Sequence, residues 1–168
     1  MFKSLWRERR RSMAVQGLAR LETPGEPALD RFVGAAASAF QAPIAALSLI
    51  HEDMQSVQVG RGIVPTCFPR RDGLCGFTLD REGVLECCAP LDDPRFATLP
   101  GVVGEPHIRY YIGAPLRLLS GVDIGALCVV DTVARAPASV DQKAYLLGLA
   151  RQASMALEAR LDLWGDAA

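Results

Sequence analysis

The stretch Tyr110-Tyr111-Ile112-Gly113-Ala114-Pro115-Leu116-Arg117-Leu118-Leu119-Ser120-Gly121-Val122-Asp123-Ile124-Gly125-Ala126-Leu127-Cys128-Val129-Val130 decides the fold. Two apolar arms flank Ser120-Gly121, a dipeptide that marks a turn. The spacing predicts a β-hairpin with arms at 110–118 and 123–130. The second arm is almost entirely apolar, which belongs in the middle of a sheet covered on both faces. Gly113 and Gly125 interrupt the arms. Interior glycines weaken a strand and mark a bulge or the close approach of another backbone.

Upstream, Ile44-Ala45-Ala46-Leu47-Ser48-Leu49-Ile50 reads as a central strand, and Gln55-Ser56-Val57-Gln58-Val59 alternates as a strand nearer an edge does. The short connector His51-Glu52-Asp53-Met54 makes the two a second hairpin. Residues 60–73, rich in Gly, Pro and Arg, read as a loop. A short helix is predicted over 74–80 and a strand over 84–87, and 89–106 reads as irregular.

Helices are predicted on either side of these strands. Residues 1 to about 22 carry a broken apolar stripe of Phe2, Leu5, Trp6, Met13, Ala14, Leu18 and Leu21. Such a helix is not stable alone, so it packs on the domain or on a second copy. Glu22-Thr23-Pro24-Gly25-Glu26-Pro27 breaks it. From Pro27 to Gln41, Leu29, Phe32, Val33, Ala36, Ala39 and Phe40 share one helical face. A last helix runs from about Ser139 to Trp164, opened by a capping box of Ser139 and Gln142. Its stripe is Leu146, Ala150, Ala153, Leu157, Leu161 and Trp164, widened by Leu147, Leu149 and Met155. That width calls for a second contact, most simply another helix. The order of elements predicts an α+β fold, an antiparallel sheet with helices on one side.

Composition limits what such a chain does. It has 168 residues, half of them hydrophobic, with 18 basic and 19 acidic residues and a net charge of −1. A neutral domain does not work by blanket attraction to nucleic acid or anionic lipid. No apolar stretch approaches the ~20 residues a bilayer needs, and the basic start is not followed by the apolar core of a secretory signal. Five irregularly spaced cysteines argue against a disulfide scaffold. These features together predict a cytoplasmic protein without nucleic-acid or membrane partners.

Several ordered motifs resemble the GAF domain family, in the bacterial branch often attached to histidine kinases and diguanylate cyclases. They are Leu21-Glu22-Thr23-Pro24-Gly25-Glu26-Pro27-Ala28-Leu29-Asp30-Arg31, Asp93-Pro94-Arg95-Phe96-Ala97, Gly104-Glu105-Pro106-His107-Ile108-Arg109-Tyr110-Tyr111-Ile112-Gly113-Ala114-Pro115-Leu116, and Gly125-Ala126-Leu127-Cys128-Val129-Val130-Asp131. The resemblance implies a GAF/PAS-like antiparallel sheet of five or six strands flanked by helices, with the N- and C-terminal helices packed together. It divides the chain into an N-terminal helix and linker (1–24), a core (25–138) and a C-terminal helix (139–168). It implies a pocket between sheet and loops, and terminal helices that form a homodimer. The chain departs from that branch at Cys75-Gly76-Phe77, where a Cys followed two residues on by His is usual, and at His51, Ser56, Val57, Cys88 and Ala89.

The pocket candidates are Cys75, Phe77, Arg95, His107, Arg109 and Tyr111. Cys75 opens the short helix, where the helix dipole lowers a thiol pKa; it reads as a sensing thiol or, more simply, as a small buried hydrophobe. Arg95, His107 and Arg109 read either as a site for an anionic ligand or as residues that tie down the long loop. Cys87 and Cys88 point to opposite faces of a strand, Cys128 reads as core, and Cys67 as the exposed thiol. Arg7 to Arg11 reads as a solvated helix face. Two histidines and no CxxC or HxxxH spacing predict no metal site, and no catalytic constellation is present. The expected function is a non-catalytic sensory or regulatory module that binds a small molecule or a separate partner protein and signals through its terminal helices. These residues identify neither the ligand nor a cofactor. The alternatives are a cysteine-based enzyme similar to the GAF-fold reductases of free methionine sulfoxide, and a ligand-free dimerisation scaffold. A chain this long has no room for a kinase, cyclase or DNA-binding output, so its message is expected to leave through an interface.

Overall fold

Strands β1 (Ile44–His51) and β2 (Met54–Arg61) pair antiparallel across a tight turn at Glu52-Asp53. They and four more strands form the sheet of a computed structural model that describes residues 2–19 and 27–165. Strands β5 (Tyr110–Arg117) and β6 (Asp123–Asp131) form the other long hairpin. It turns where predicted: Leu118 N–H donates to the Val122 carbonyl, and Gly121 takes the left-handed φ of +83° that glycine allows. The short strands β3 (Thr66–Pro69) and β4 (Leu85–Cys87) flank them, giving the order β3-β2-β1-β6-β5-β4 with every pairing antiparallel. The fold is α+β, with a six-stranded antiparallel sheet.

The three long helices cover one face. They are α1 (Phe2–Ala19), α2 (Pro27–Phe40) and α4 (Val140–Gly165); a single turn, α3 (Pro100–Val103), lies in the long loop. Leu29, Phe32, Val33, Ala36 and Phe40 of α2 and Leu146, Leu149, Ala150, Ala153 and Leu157 of α4 are buried against Leu47, Ile112, Leu127 and Val129. The width of the α4 stripe is used largely within the chain, because α4 packs on the sheet, on α2 and on α1. Met155 of that stripe stays exposed. The side chains of Leu161 and Trp164 lie outside the described residues, as do Leu21 and the break at 22–26. The capping box is present: Gln142 N–H donates to Ser139 Oγ at 3.1 Å, and Ser139 N–H to Gln142 Oε1 at 3.0 Å. Arg135 closes the far end of α2, donating to the Phe40 and Gln41 carbonyls and pairing with Asp131 at 2.7 Å.

The other face carries loops instead of helices, over a second core that includes Ala46, Val57, Phe96, Val102, Ile108, Tyr111 and Cys128. The interior glycines lie where backbones come close. A Cβ at Gly125 would stand 1.9 Å from the Ser48 carbonyl oxygen, so only glycine lets β1 and β6 pair at that point.

Three expectations are corrected. The segment 60–73 contains the edge strand β3, paired with β2 from Val57 to Met54; its prolines are tolerated because its outer side faces no further strand. The face of α1 that packs inward is Arg11, Val15 and Leu18, while Phe2, Leu5, Trp6 and Met13 of the expected stripe are exposed. Arg11, expected on a solvated face, is only 1% exposed.

Candidate functional site

On the loop-covered face a cavity of about 540 Å³ lies against the sheet. Alternate side chains point into it from five strands: Ala46 and Ser48 of β1, Gln55 and Val57 of β2, Thr66 and Phe68 of β3, Tyr111 of β5, and Cys128 and Val130 of β6. A bulge makes this register. Leu47 faces Val59 and Ser48 faces Val57, so Gln58 is the extra residue on β2. As a result Val57 joins the core on the cavity face while Val59 joins the helix face. The opposite wall is Asp72-Gly73-Leu74-Cys75, with Pro100, Gly101, Glu105, Pro106 and Ile108 at the side.

Polar groups gather at one place in this apolar wall. Tyr111 OH donates to Cys75 Sγ at 3.4 Å and lies 2.9 Å from Thr78 Oγ1. Gln55 Nε2 donates to Ser48 Oγ at 3.4 Å, whereas Gln55 Oε1 is buried with no donor among the described residues. Gly73 makes room for that amide, since a Cβ there would stand 2.2 Å from Gln55 Oε1. The hydrogen bond from Cys128 holds the Cys75 thiol below its ordinary value; Tyr111, Ser48 and Gln55 add to this, against burial, which pushes it up. The cause is therefore the set of donors around the sulfur. No helix dipole is at work, because the predicted helix is a four-residue 3₁₀ turn, Cys75–Thr78. The same pairing, with burial, pushes Cys128 well up, and burial does the same to Tyr111.

Of the six residues singled out in the sequence, Cys75 and Tyr111 line this cavity. The other four stand elsewhere. Phe77 lies outside it with its ring edge-on to Phe96, centroids 5.0 Å apart. Arg95 makes a two-pronged contact with Asp93 at 2.7 and 3.0 Å and stacks over Phe96. Arg109 donates to the Val102 and Ile108 carbonyls at 2.9 Å, tying down the long loop. His107 is half exposed, with Nε2 3.8 Å from Glu105. Gln55, Ser48, Gly73 and the cavity-facing role of Cys128 are additions from the structure. Gln55 left one signal in the sequence, as a polar residue in phase with the inward Val57. Cys87 and Cys88 do face opposite sides, in the loop-side and helix-side cores respectively. The cysteines are free thiols, Cys67 being the exposed one.

A partly buried ion cluster, centred on the buried Arg11, joins α1 to the residues flanking the cavity wall. Arg11 Nε donates to the Asp123 carbonyl, Nη1 pairs with Glu8, and Nη2 lies 3.2 Å from Asp80. Glu8 also accepts from Arg70 at 3.1 Å. Asp123 continues the cluster, accepting from Arg117 at 2.7 Å and from the Asp80 N–H at 2.7 Å. Burying an unpaired guanidinium costs several kcal/mol, which this set of acceptors offsets. Arg70 and Asp80 bracket the segment that forms the cavity wall, so α1 grips that wall at both ends. Glu86 ties the other terminal helix to the sheet: it accepts from Tyr110 OH at 2.6 Å and the Ala138 N–H at 2.7 Å, and lies 3.4 Å from Lys143. Among the described residues no helix is long and apolar enough to cross a membrane.

Known proteins share this fold. The chain is 37% identical over 144 residues to a cyclic di-GMP phosphodiesterase of Pseudomonas aeruginosa, covering 86% of this chain but 24% of that protein. The chain thus spans about a quarter of the length of the curated relative it matches. Among solved structures, the GAF domain of an Acinetobacter phosphoenolpyruvate-protein phosphotransferase superposes with a TM-score of 0.66 at 18% identity, over 91% of this chain and 98% of that one. The free methionine-R-sulfoxide reductase of Neisseria meningitidis superposes with a TM-score of 0.64 at 20% identity, over 80% of this chain and 78% of that one. At these identities the structures share the fold. The GAF domain family model matches residues 24–157, from the lead-in of α2 through the body of α4. That span holds the sheet and the cavity, and the chain belongs to the GAF domain family, a sensory and regulatory fold.

Proposed function

We propose that the chain is a non-catalytic sensory module, which binds a small molecule in the cavity under β1, β2 and β6 and signals through α1 and α4. One observation carries this reading: α1 holds both ends of the cavity wall, through Glu8–Arg70 and Arg11–Asp80. A ligand that moves residues 72–75 shifts the seating of α1. The exposed Phe2, Leu5, Trp6 and Met13 of α1, with Tyr145 and Met155 of α4, support readout by a second copy or a partner protein. The curated relative is named a phosphodiesterase and matches over a quarter of its length, which fits a regulatory unit beside an enzyme. Thermal unfolding against a metabolite library tests the reading, with amide exchange of α1 measured for each stabiliser. A stabiliser that changes protection in α1 supports it. A library without any stabiliser removes it.

A second reading is favoured by Cys75, whose thiol is held low beside Cys128 in a cavity. In a thiol-based reduction of methionine sulfoxide, the two thiols would supply two electrons. Methionine and water would leave, and the disulfide formed would be reopened by thioredoxin. An NADPH-coupled thioredoxin assay decides it: no turnover above a Cys75→Ser variant removes this reading.

A further inference from the structure

We infer that the cavity takes an uncharged, largely apolar molecule that donates one N–H or O–H group to Gln55, and that it rejects anions. The inference rests on the ligand-binding reading above and specifies the chemistry of that ligand.

The charge of the lining comes first. No Lys, Arg or His is among the residues that line the cavity; its charged members are two carboxylates, Asp72 and Glu105. The neighbouring cations are committed elsewhere or turned to solvent. Arg70 is held by Glu8, Arg109 by loop carbonyls and Arg95 by Asp93. Arg71 approaches Asp72 at 4.0 Å but is 86% exposed, and His107 approaches Glu105 at 3.8 Å from the surface. An anion entering this space gives up its water with no counter-charge to replace it, and meets like charge on the way. An apolar body loses nothing of the kind. The volume of about 540 Å³ lies within the usual range of small-molecule sites.

One polar group asks for a partner. Gln55 is 4% exposed and lines the cavity, and its Oε1 meets no donor among the described residues. A buried carbonyl without a donor is expensive to maintain, so the group a ligand gains most from offering is a donor. The Tyr111 hydroxyl does not compete for it, because it is directed at Cys75. Gly73 keeps the Oε1 position open, since any larger residue would collide with that oxygen.

Three probes built on one bicyclic ring frame test this: indole, an apolar N–H donor; benzofuran, with oxygen in place of the N–H; and indole-3-acetate, which keeps the N–H and adds an anionic side chain. Calorimetry on the native chain is expected to show indole binding about fivefold tighter than benzofuran, the worth of one hydrogen bond, and more than tenfold tighter than indole-3-acetate. In Gln55→Met, which keeps the length of the side chain, indole and benzofuran are expected to bind alike. Should that variant not fold, the ranking on the native chain still decides. Benzofuran matching or exceeding indole overturns the donor assignment. Indole-3-acetate matching or exceeding indole overturns the charge assignment and leaves the sensory reading standing. If indole does not bind, the inference falls; the sensory reading falls with it only when the metabolite library also contains no stabiliser.

Discussion

Gly113 lies two residues beyond Tyr111 on β5, and a Cβ on it would stand 2.3 Å from the Tyr111 hydroxyl. The glycine therefore allows the Tyr111 ring to lie along its own strand and reach Cys75 and Thr78. Gly113→Ala is expected to destabilise the fold by about 1–3 kcal/mol, the usual cost of overpacking. The closest clash is with the phenol oxygen, while Tyr111 Cζ at 2.8 Å and Thr78 Oγ1 at 3.0 Å remain after Tyr111→Phe, so adding that change is expected to recover part of that loss. Urea unfolding of the two single variants and the double variant measures the coupling, and strict additivity of the two changes would contradict it.

Arg11 is the buried charge on α1, and its carboxylate partners Glu8 and Asp80 are each about one-third exposed. Removing a buried ion partner outright costs about 3–5 kcal/mol, and solvent around the carboxylates discounts this. Arg11→Met is expected to cost about 1–3 kcal/mol, with faster amide exchange in α1 and little change in β1 or β6. Exchange that rises equally everywhere would show that the cluster does not hold α1 in particular.

Acid weakens the same contact. Burial pushes the Glu8 carboxyl up, but Arg11 and Arg70 together win and hold it below its ordinary value of 4.5. A group whose pKa is lower in the folded state adds stability above its unfolded value, and that stability fades as pH falls through the folded value. Stability is thus expected to drop below about pH 4.5 with a share due to Glu8. Glu8→Gln should flatten that part of the acid limb and leave the slope at neutral pH unchanged, as denaturant midpoints across pH 3–7 would show.

The thiols are expected to react in the order of their access to solvent. Cys67 is exposed on the edge strand, Cys88 is half-buried, and Cys75, Cys87 and Cys128 are buried. Iodoacetamide at neutral pH should label Cys67 first, and Cys75 and Cys128 only on unfolding, read by peptide mass spectrometry. Early labelling of Cys75 would mean that the cavity opens on the minute scale.

At the start of α4, Ser139→Ala removes the acceptor of the Gln142 N–H. The expected loss is about 1 kcal/mol, measurable as a lower thermal midpoint.

The sequence made the sheet legible because its strands are apolar enough to announce themselves. The hairpin of β5 and β6, the β1–β2 pair, the α2 face and the capping box all follow from local rules. The edge strand β3 stayed hidden because Pro65, Pro69 and Arg70 mark a loop, and only pairing with β2 makes Thr66 to Pro69 extended. The site was less legible for a geometric reason. Gln55, Val57 and Val59 alternate as though they shared a face, yet the bulge at Gln58 sends Val59 to the helices and leaves Gln55 and Val57 in the cavity. The loop residues carried their polarity openly, and it serves the loop itself: Arg109 holds carbonyls and Arg95 holds Asp93. Arg11 was hidden among five basic residues, and nothing local distinguishes it from its neighbours.

The anchoring of Arg11 has a mechanical consequence. Its guanidinium is bonded to the backbone of β6 at Asp123, beside the β5–β6 turn, whereas Glu8 one turn away is bonded to Arg70, just ahead of the cavity wall. Arg11 thus ties α1 both to the sheet and, through Asp80, to one end of the wall segment, and Glu8 ties it to the other end. From Arg11 to Phe2 is nine residues, a length of about 14 Å at 1.5 Å per residue. Glu8 lies three residues, about 4.5 Å, along the same length. Phe2 thus lies about three times as far from Arg11 as Glu8 does, so the exposed Phe2 and Leu5 extend beyond both anchors of α1.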